Sequence, residues 1–203
     1  MSKQLLVDYI PFEINLQQIQ ESIARNGKLI VSGILQRANA RNQNGRIYPR
    51  ETLMREAKKY MDIQIKERRA LGELDHPDSE VINLQNASHN VLEMHWEGND
   101  LVGKIEVLGT PSGNILKELF KAGIKLGISS RALGSVKEIQ HESGEETVEV
   151  QQDLDLISWD FVSTPSTQNA FLSPITEGAR KSGRTCGKWC KVESLINDIV
   201  RGE

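Results

Sequence analysis

The sequence predicts an α+β fold built mainly on antiparallel strands. Its 203 residues include 38% apolar and 26% charged side chains, which suits one globular domain with a sizeable core. Most patterned segments alternate between apolar and polar residues, as half-buried strands do. Before the C-terminal tail, only two long segments have the apolar spacing of an amphipathic helix. This mixture indicates an α+β domain.

The first predicted elements are a strand, a long loop and a helix. Residues 28–36, KLIVSGILQ, alternate well enough for a strand. The Asn- and Gly-rich loop that follows is closed by Pro49 and is long for a simple connection. Residues 50–69 place Leu53, Ala57 and Tyr60 at steps of three and four, which predicts an amphipathic helix whose charged side faces water.

The second half of the body begins with a predicted hairpin. Two alternating runs within residues 88–109 flank the turn residues Gly98, Asn99 and Asp100. Residues 110–123 form a short helix, with Pro111 near its start and Gly123 near its end. Strands are predicted again in residues 124–139 and 147–163, around the polar turn QHESGEE.

The composition changes after residue 176. Residues 177–191 are Gly-rich and basic, and the last twelve residues have the pattern of a short amphipathic helix. We expect a body of residues 1–176 and a tail of residues 177–203. Cys186 and Cys190 have three residues between them and no second pair, which favours plain thiols over a metal site.

Charge and hydropathy argue against several classes of protein. The formal charge is −3 and no basic stripe follows the chain, so nucleic acid is a poor candidate partner. No apolar run approaches the roughly 18 residues that span a bilayer, and the N-terminus lacks a secretion signal pattern. We expect a cytosolic protein without a membrane, metal or cofactor requirement.

Three residues from separate elements have the side chains of a serine triad. Ser129 lies in an otherwise apolar strand, and His76 lies in a turn after the first helix beside the rigid Pro77. Asp160 lies among apolar residues, where a carboxylate needs a hydrogen-bond donor. A serine nucleophile needs a base, and the base needs an orienting acceptor. Main-chain N–H groups near Arg131 are candidates for the oxyanion site.

Each assignment has an alternative. A serine in a strand is most often a packed residue, and Ser130 occupies the opposite face of a regular strand. Arg131 fits an oxyanion contact, a contact to an acidic substrate residue, or a salt bridge. Asp160 fits an Asx turn with the residues after it. The other histidines are weaker candidates for the base: His89, His95 and His141.

Five segments in order resemble the prohead core maturation protease family of contractile-tailed phages. They are NGRIYPRETLMREAKKY, ALGELDHP, EGNDLVGKIEVL, GISSRALGSV and SWDFVSTPS, and the resemblance covers about residues 28–173. It implies a β-barrel-like core with flanking helices, similar to the herpesvirus assemblin proteases. The histidine of GELDHP is His76 and the first serine of GISSR is Ser129. Asp160 is the best match for the third position, which varies in related enzymes.

The resemblance also implies an activity and a place. It predicts a serine endopeptidase that cuts scaffold and capsid proteins inside the assembling prohead in the host cytoplasm. Cleavage after glutamate and autoprocessing are expected, and a homo-oligomer is a candidate assembly. The protease domain would be residues 1–176. The expected oxyanion and substrate-binding residues are Ser130, Arg131 and Ala132. The alternative is a non-catalytic capsid or scaffold component that keeps the same fold.

Overall fold

The strands of this α+β chain form three separate sheets. The computed structural model describes residues 3–12, 19, 21, 24, 27–77, 79–140 and 146–163. The strands are β1 (Gln4–Phe12), β2 (Leu29–Arg37), β3 (Arg46–Ile47), β4 (Leu71–Glu73), β5 (Ala87–Glu97), β6 (Asp100–Val107), β7 (Leu126–Gly134), β8 (Val136–Gln140), β9 (Glu146–Val150) and β10 (Asp155–Val162). The helices are α1 (Arg50–Tyr60), continued by a π-helical turn (Met61–Ile65), and α2 (Pro111–Lys121).

The pairing is mostly antiparallel, as predicted. The sheets have the strand orders β1-β7-β10, β2-β6-β5-β4 and β3-β9-β8, and among these named pairs only β3 and β9 run parallel. Leu74 forms a parallel bridge to Phe161, which links the first two sheets. All described residues belong to one compact unit, residues 1–170.

The expected barrel closure is not seen. Within the described residues, the ladders pair β1 only with β7 and β2 only with β6, so the two sheets end in edges. The predicted tail of residues 177–203, with Cys186 and Cys190, lies outside the described residues. In the described part of the chain, no helix has both the length and the apolar character needed to cross a membrane.

Both predicted helices are present, and the first differs from its prediction in length and helix type. The first helix, predicted for residues 50–69, is α-helical only over α1. It continues as the π-helical turn, where the Lys66 N–H donates to the Met61 carbonyl. A short strand, β4, separates this helix from His76, which the sequence placed directly after the helix. Thr110 caps α2, because its hydroxyl accepts from the Gly113 N–H over 3.0 Å.

Aromatic side chains fill the core between the sheets and the helices. The Phe161 ring meets Phe12 and Phe120 edge-on, each with ring centroids 5.2 Å apart. Tyr60 of α1 packs edge-on against Trp159 at 4.9 Å. Edge-to-face pairs of this kind contribute about 0.5–1.5 kcal/mol beyond the area they bury. The end of β10 is therefore anchored from three directions.

Gly72 allows β4 to lie tightly against β10. A Cβ atom at this position would lie 2.1 Å from the Trp159 carbonyl oxygen and 2.2 Å from a ring nitrogen of His89. Neither neighbour has room to yield, since both are buried. The glycine therefore fixes how closely the chain approaches β10 just before His76.

Candidate active site

Ser129 lies in the middle of β7, the central strand of its sheet. Across the two ladders it pairs with Tyr9 of β1 and Asp160 of β10. Residues opposite one another in antiparallel strands, and residues two apart along one strand, share a face of the sheet. Ser129, Arg131, Ser158 and Asp160 therefore form one face of the β7–β10 pair, which we call the polar face.

The opposite side of the same strand pair is mainly apolar. It consists of Ile128, Ser130, Ala132, Trp159 and Phe161, which we call the core face. Ser130 pairs with Trp159 across the ladder and shares its side of the sheet. The two adjacent serines thus belong to different environments, as the alternation of a regular strand predicts.

The main partner of Asp160 is Arg131. Asp160 Oδ2 lies 3.0 Å from Arg131 Nε, and both side chains are fully buried. The Glu73 backbone N–H donates to Asp160 Oδ1 over 2.9 Å, and the Ser158 hydroxyl donates to the same carboxylate over 3.2 Å. Burial raises the pKa of the Asp160 carboxyl above its ordinary value, while the Arg131 charge opposes that rise.

His76 follows β4 on a stretch of chain that runs beside β10. The Asp75 N–H donates to the Phe161 carbonyl over 2.8 Å, which holds this stretch against the strand. His76 is half-buried, and its Nδ1 atom lies 2.9 Å from the Pro77 carbonyl oxygen. A carbonyl can only accept a hydrogen bond, so Nδ1 donates to it, and in the neutral ring Nε2 is then the acceptor.

Asp75 turns the chain into His76. Its φ of 66° lies in the left-handed region, which Asp tolerates better than most residues. The Asp75 carboxylate accepts from the His76 backbone N–H over 3.0 Å, a local bond that favours this conformation. The left-handed conformation of Asp75 and this local hydrogen bond together set the direction in which the backbone enters His76.

The structure places Ser129 and Asp160 side by side without a hydrogen bond from either to His76. Among the described residues, no hydrogen bond or ion pair joins the His76 ring to Asp160, whose carboxylate is occupied by Arg131. A positive charge on His76 would still lower the pKa of Asp160, so the ring lies within electrostatic reach. Asp160 as the hydrogen-bonded orienter of His76 stays a prediction.

The expected oxyanion residues Ser130, Arg131 and Ala132 all lie in the centre of the sheet. Each of them pairs with β1 on one side and β10 on the other. The backbone N–H groups of a central strand are used by its two ladders. The Arg131 guanidinium is used as well, in its buried pair with Asp160.

The other histidines differ clearly from His76. Both ring nitrogens of His89 are engaged, Nε2 with the Trp159 carbonyl at 2.9 Å and Nδ1 with Ser88 Oγ at 2.8 Å. Burial lowers the pKa of His89 to about 4. His95 is exposed and lies 2.9 Å from a Glu97 carboxylate oxygen. His141 lies outside the described residues.

Glu73 and Ser158 also belong to this cluster, although neither was predicted from the sequence. Glu73 is fully buried and lies 2.9 Å from Arg131 Nη2. Its signal was present, because a carboxylate in the apolar run ALGEL is costly unless it is paired, as argued for Asp160. In the described part of the chain, no group of three His, Cys, Asp or Glu side chains has a geometry that could hold a metal ion.

Comparisons with known proteins agree on one family. The model of the prohead core protein serine proteases matches residues 10–180. The prohead core protein protease of Enterobacteria phage T4 is 33% identical over 159 residues, which cover 73% of this chain and 71% of the relative. The structure of the bacteriophage T4 capsid assembly protease, gp21, superposes with a TM-score of 0.69 at 26% identity, covering 80% of this chain and 99% of the other. The chain belongs to the prohead core protein protease family.

Proposed function

We propose that this chain is a serine endopeptidase that cuts scaffold and capsid proteins inside the prohead, with Ser129 as nucleophile and His76 as base. Family membership supports a maturation protease. The serine assignment rests on one observation. Of the four polar-face side chains, only that of Ser129 has no hydrogen-bond partner within the described residues, while the other three are bonded to one another.

The tautomer of His76 supports its role as the base. Because Nδ1 donates to the Pro77 carbonyl, Nε2 is free to accept the Ser129 proton. The Ser129 oxygen then bonds to the carbonyl carbon of the peptide, and His76 passes the proton to the leaving amine. Water then attacks the carbonyl carbon of the resulting ester. His76 takes a proton from the water and passes it to the Ser129 oxygen as the ester bond breaks. Catalytic hydrogen bonds commonly tighten only when substrate binds, so an open Ser129–His76 pair is compatible with this role.

Asp160 enters the proposal as a source of negative charge. The Pro77 carbonyl already sets the tautomer of His76, and Arg131 occupies the carboxylate. The remaining contribution of Asp160 is electrostatic, because its charge favours the imidazolium that forms during attack. We propose no oxyanion role for Ser130, Arg131 and Ala132, since their N–H groups serve the ladders.

The finer expectations belong to the same proposal. Cleavage after glutamate and an assemblin-like fold stay predictions of the family resemblance. Arg131 is a poor candidate to bind a substrate glutamate, because it has no exposed surface and already faces two carboxylates. Autoprocessing of the tail concerns residues outside the described part of the chain.

One observation favours the second candidate, a non-catalytic capsid or scaffold component. Ser129 is only 1% exposed, so a substrate carbonyl can reach its hydroxyl only after a covering segment moves. An enzyme needs such an opening, whereas a structural component does not. The two candidates therefore differ in whether Ser129 ever becomes reactive.

A fluorophosphonate probe distinguishes them. We expect the wild-type chain to be labelled at Ser129 and to cleave scaffold protein, and we expect His76→Ala to lose both reactions. Peptide mass spectrometry locates the label, and the intact mass after incubation reports loss of C-terminal residues. A wild-type chain that neither labels nor cleaves within assembled proheads would favour the structural component.

A further inference from the structure

Arg131 holds the segment that carries His76 at two separated points. The described residues of this segment, 73–77 and 79–83, we call the His76 segment. Arg131 Nη2 lies 2.9 Å from Glu73 Oε1, at the beginning of the segment. Arg131 Nη1 donates to the Ser79 carbonyl over 2.8 Å, on the other side of His76.

Glu73 also connects the beginning of the same segment to its end. Its Oε1 atom, which accepts from Arg131, also accepts from the Asn83 backbone N–H over 3.0 Å. Its own backbone N–H donates to Asp160. Both ends of the His76 segment are thus connected to one guanidinium on β7 through the buried Glu73 carboxylate.

We infer that Arg131 is a positioning residue that fastens the His76 segment to β7 and thereby sets His76 relative to Ser129. Arg131 lies two residues from Ser129 on the same strand and the same face. Strand β7 carries both the proposed nucleophile, Ser129, and Arg131. The position of the base, His76, is therefore set by the same strand that holds the nucleophile. This inference rests on the proposed roles of Ser129 and His76.

The geometry exceeds what an ordinary buried ion pair requires. A buried pair needs one carboxylate and often adds little net stability, because the loss of hydration offsets the attraction. Arg131 contacts two carboxylates and a carbonyl that lies beyond His76. The planar guanidinium has five donors in a fixed fork, which a lysine ammonium cannot reproduce.

The test replaces Arg131 by lysine, which keeps the charge but not the fork. Arg46→Lys is the matched control, because Arg46 also pairs with a buried carboxylate, Asp8 at 3.0 Å, and its contacts among the described residues do not involve the His76 segment. Hydrogen–deuterium exchange of peptides from residues 74–84 reports the fastening without any need for activity. Steady-state cleavage of a scaffold peptide gives kcat and KM.

For Arg131→Lys we expect exchange in residues 74–84 to accelerate at least about tenfold, while the β5–β6 hairpin keeps its protection. We expect kcat to fall by about 100-fold with KM nearly unchanged, since misplacing a catalytic group by about 1 Å has this effect. Arg46→Lys should change neither the exchange of this segment nor kcat of the folded protein.

Three results would overturn the inference. They are unchanged exchange in residues 74–84, faster exchange with an unchanged kcat, or equal changes in the Arg46→Lys control. If Arg131→Lys does not fold, Glu73→Gln replaces it, because this change weakens the bond to Arg131 with little change of shape. Unchanged exchange in Glu73→Gln would then overturn the fastening.

The proposed function fails in a different way. If Ser129→Ala cleaves as fast as wild type, Ser129 is not the nucleophile, and the catalytic part of the inference falls with it. The exchange measurement still decides whether Arg131 fastens the segment. Failure of the protease assignment and failure of the fastening therefore give different results.

Discussion

The two faces of the β7–β10 pair are both buried, but the polar side chains on them differ in their hydrogen-bonded surroundings. On the polar face, Arg131, Ser158 and Asp160 bond to one another and leave the Ser129 hydroxyl unpaired within the described part of the chain. On the core face, the Ser130 hydroxyl is also unpaired within the described residues, with Trp159 of β10 and the buried Asp8 of β1 across its two ladders. What distinguishes Ser129 is that two groups on its own face, Arg131 and Asp160, bond to the chain that carries His76.

The largest expected effect separates the two adjacent serines. Ser129→Ala should lower kcat/KM by at least about three orders of magnitude, because a triad nucleophile is lost. Ser130→Ala should keep most of the activity, since its hydroxyl lies on the core face. Cleavage of a scaffold peptide by the purified variants measures both. Equal losses in the two variants would remove the functional distinction between the faces.

The next effect concerns His89, which packs edge-on against Phe161 of the core face at 4.7 Å. Burial lowers its pKa from the ordinary 6.5 to about 4, so the unfolded chain binds a proton at higher pH than the folded chain. The free energy of unfolding should therefore fall as the pH decreases from about 6.5 to 4. The loss amounts to about 3 kcal/mol at 1.36 kcal/mol per pKa unit.

Urea unfolding at a series of pH values checks this prediction. His89→Gln should show a flatter dependence between pH 4 and 6.5 than wild type. His95→Gln is the control for the removal of a histidine, because His95 is exposed and lies outside the core. Parallel pH curves for wild type and His89→Gln would contradict the assignment of a buried neutral imidazole.

A smaller effect tests how Asp160 acts on the polar face. If its contribution is electrostatic, Asp160→Asn should lower kcat by about 10- to 100-fold. It should also destabilise the fold by about 1.5–3 kcal/mol, since bonds from Arg131 to a charged acceptor are weakened. Kinetics and urea unfolding of the same preparation give both values.

The size of the kinetic loss is decisive. A loss of about four orders of magnitude with the fold retained would indicate that Asp160 fixes the tautomer of His76 directly. An unchanged kcat would leave Asp160 as a structural partner of Arg131 alone. Ser158→Ala is a useful comparison, because it removes one donor to Asp160 without removing the charge.

Local patterns predicted most elements, but not how they assemble. The hairpin, both helices and the strands around Ser129 and Asp160 follow from apolar spacing and turn residues. Strand β1 was not predicted, although Leu6, Asp8 and Phe12 are buried on one face of it, because a charged residue and Pro11 interrupt the apolar pattern. Sheet closure depends on edges that no local pattern specifies, and the expected barrel was not found.

The candidate site divides in the same way. Its residue types could be recognised, because a carboxylate or an arginine in an apolar run signals a buried partner. Which partner each residue takes could not be predicted. Asp160 had two plausible donors in His76 and the residues after it, and the structure pairs it with Arg131 instead. That choice depends on strand register, which a bulge between Leu156 and Ser158 shifts by one residue.

The smallest expected effect concerns Tyr60 of α1, whose ring packs against Trp159 of the core face and whose hydroxyl is buried. It has no hydrogen-bond partner within the described residues, and burial raises the pKa of Tyr60 far above its ordinary value. A buried hydroxyl without a partner carries a desolvation cost that its removal relieves. Tyr60→Phe should therefore leave the stability unchanged or raise it by up to about 1 kcal/mol, with full activity, because the ring contact with Trp159 remains. Thermal unfolding and peptide cleavage measure the two quantities. A loss of more than about 1 kcal/mol would show that the hydroxyl has a bonding partner, and the packing of α1 against the core face would then depend on a polar contact as well as on the rings.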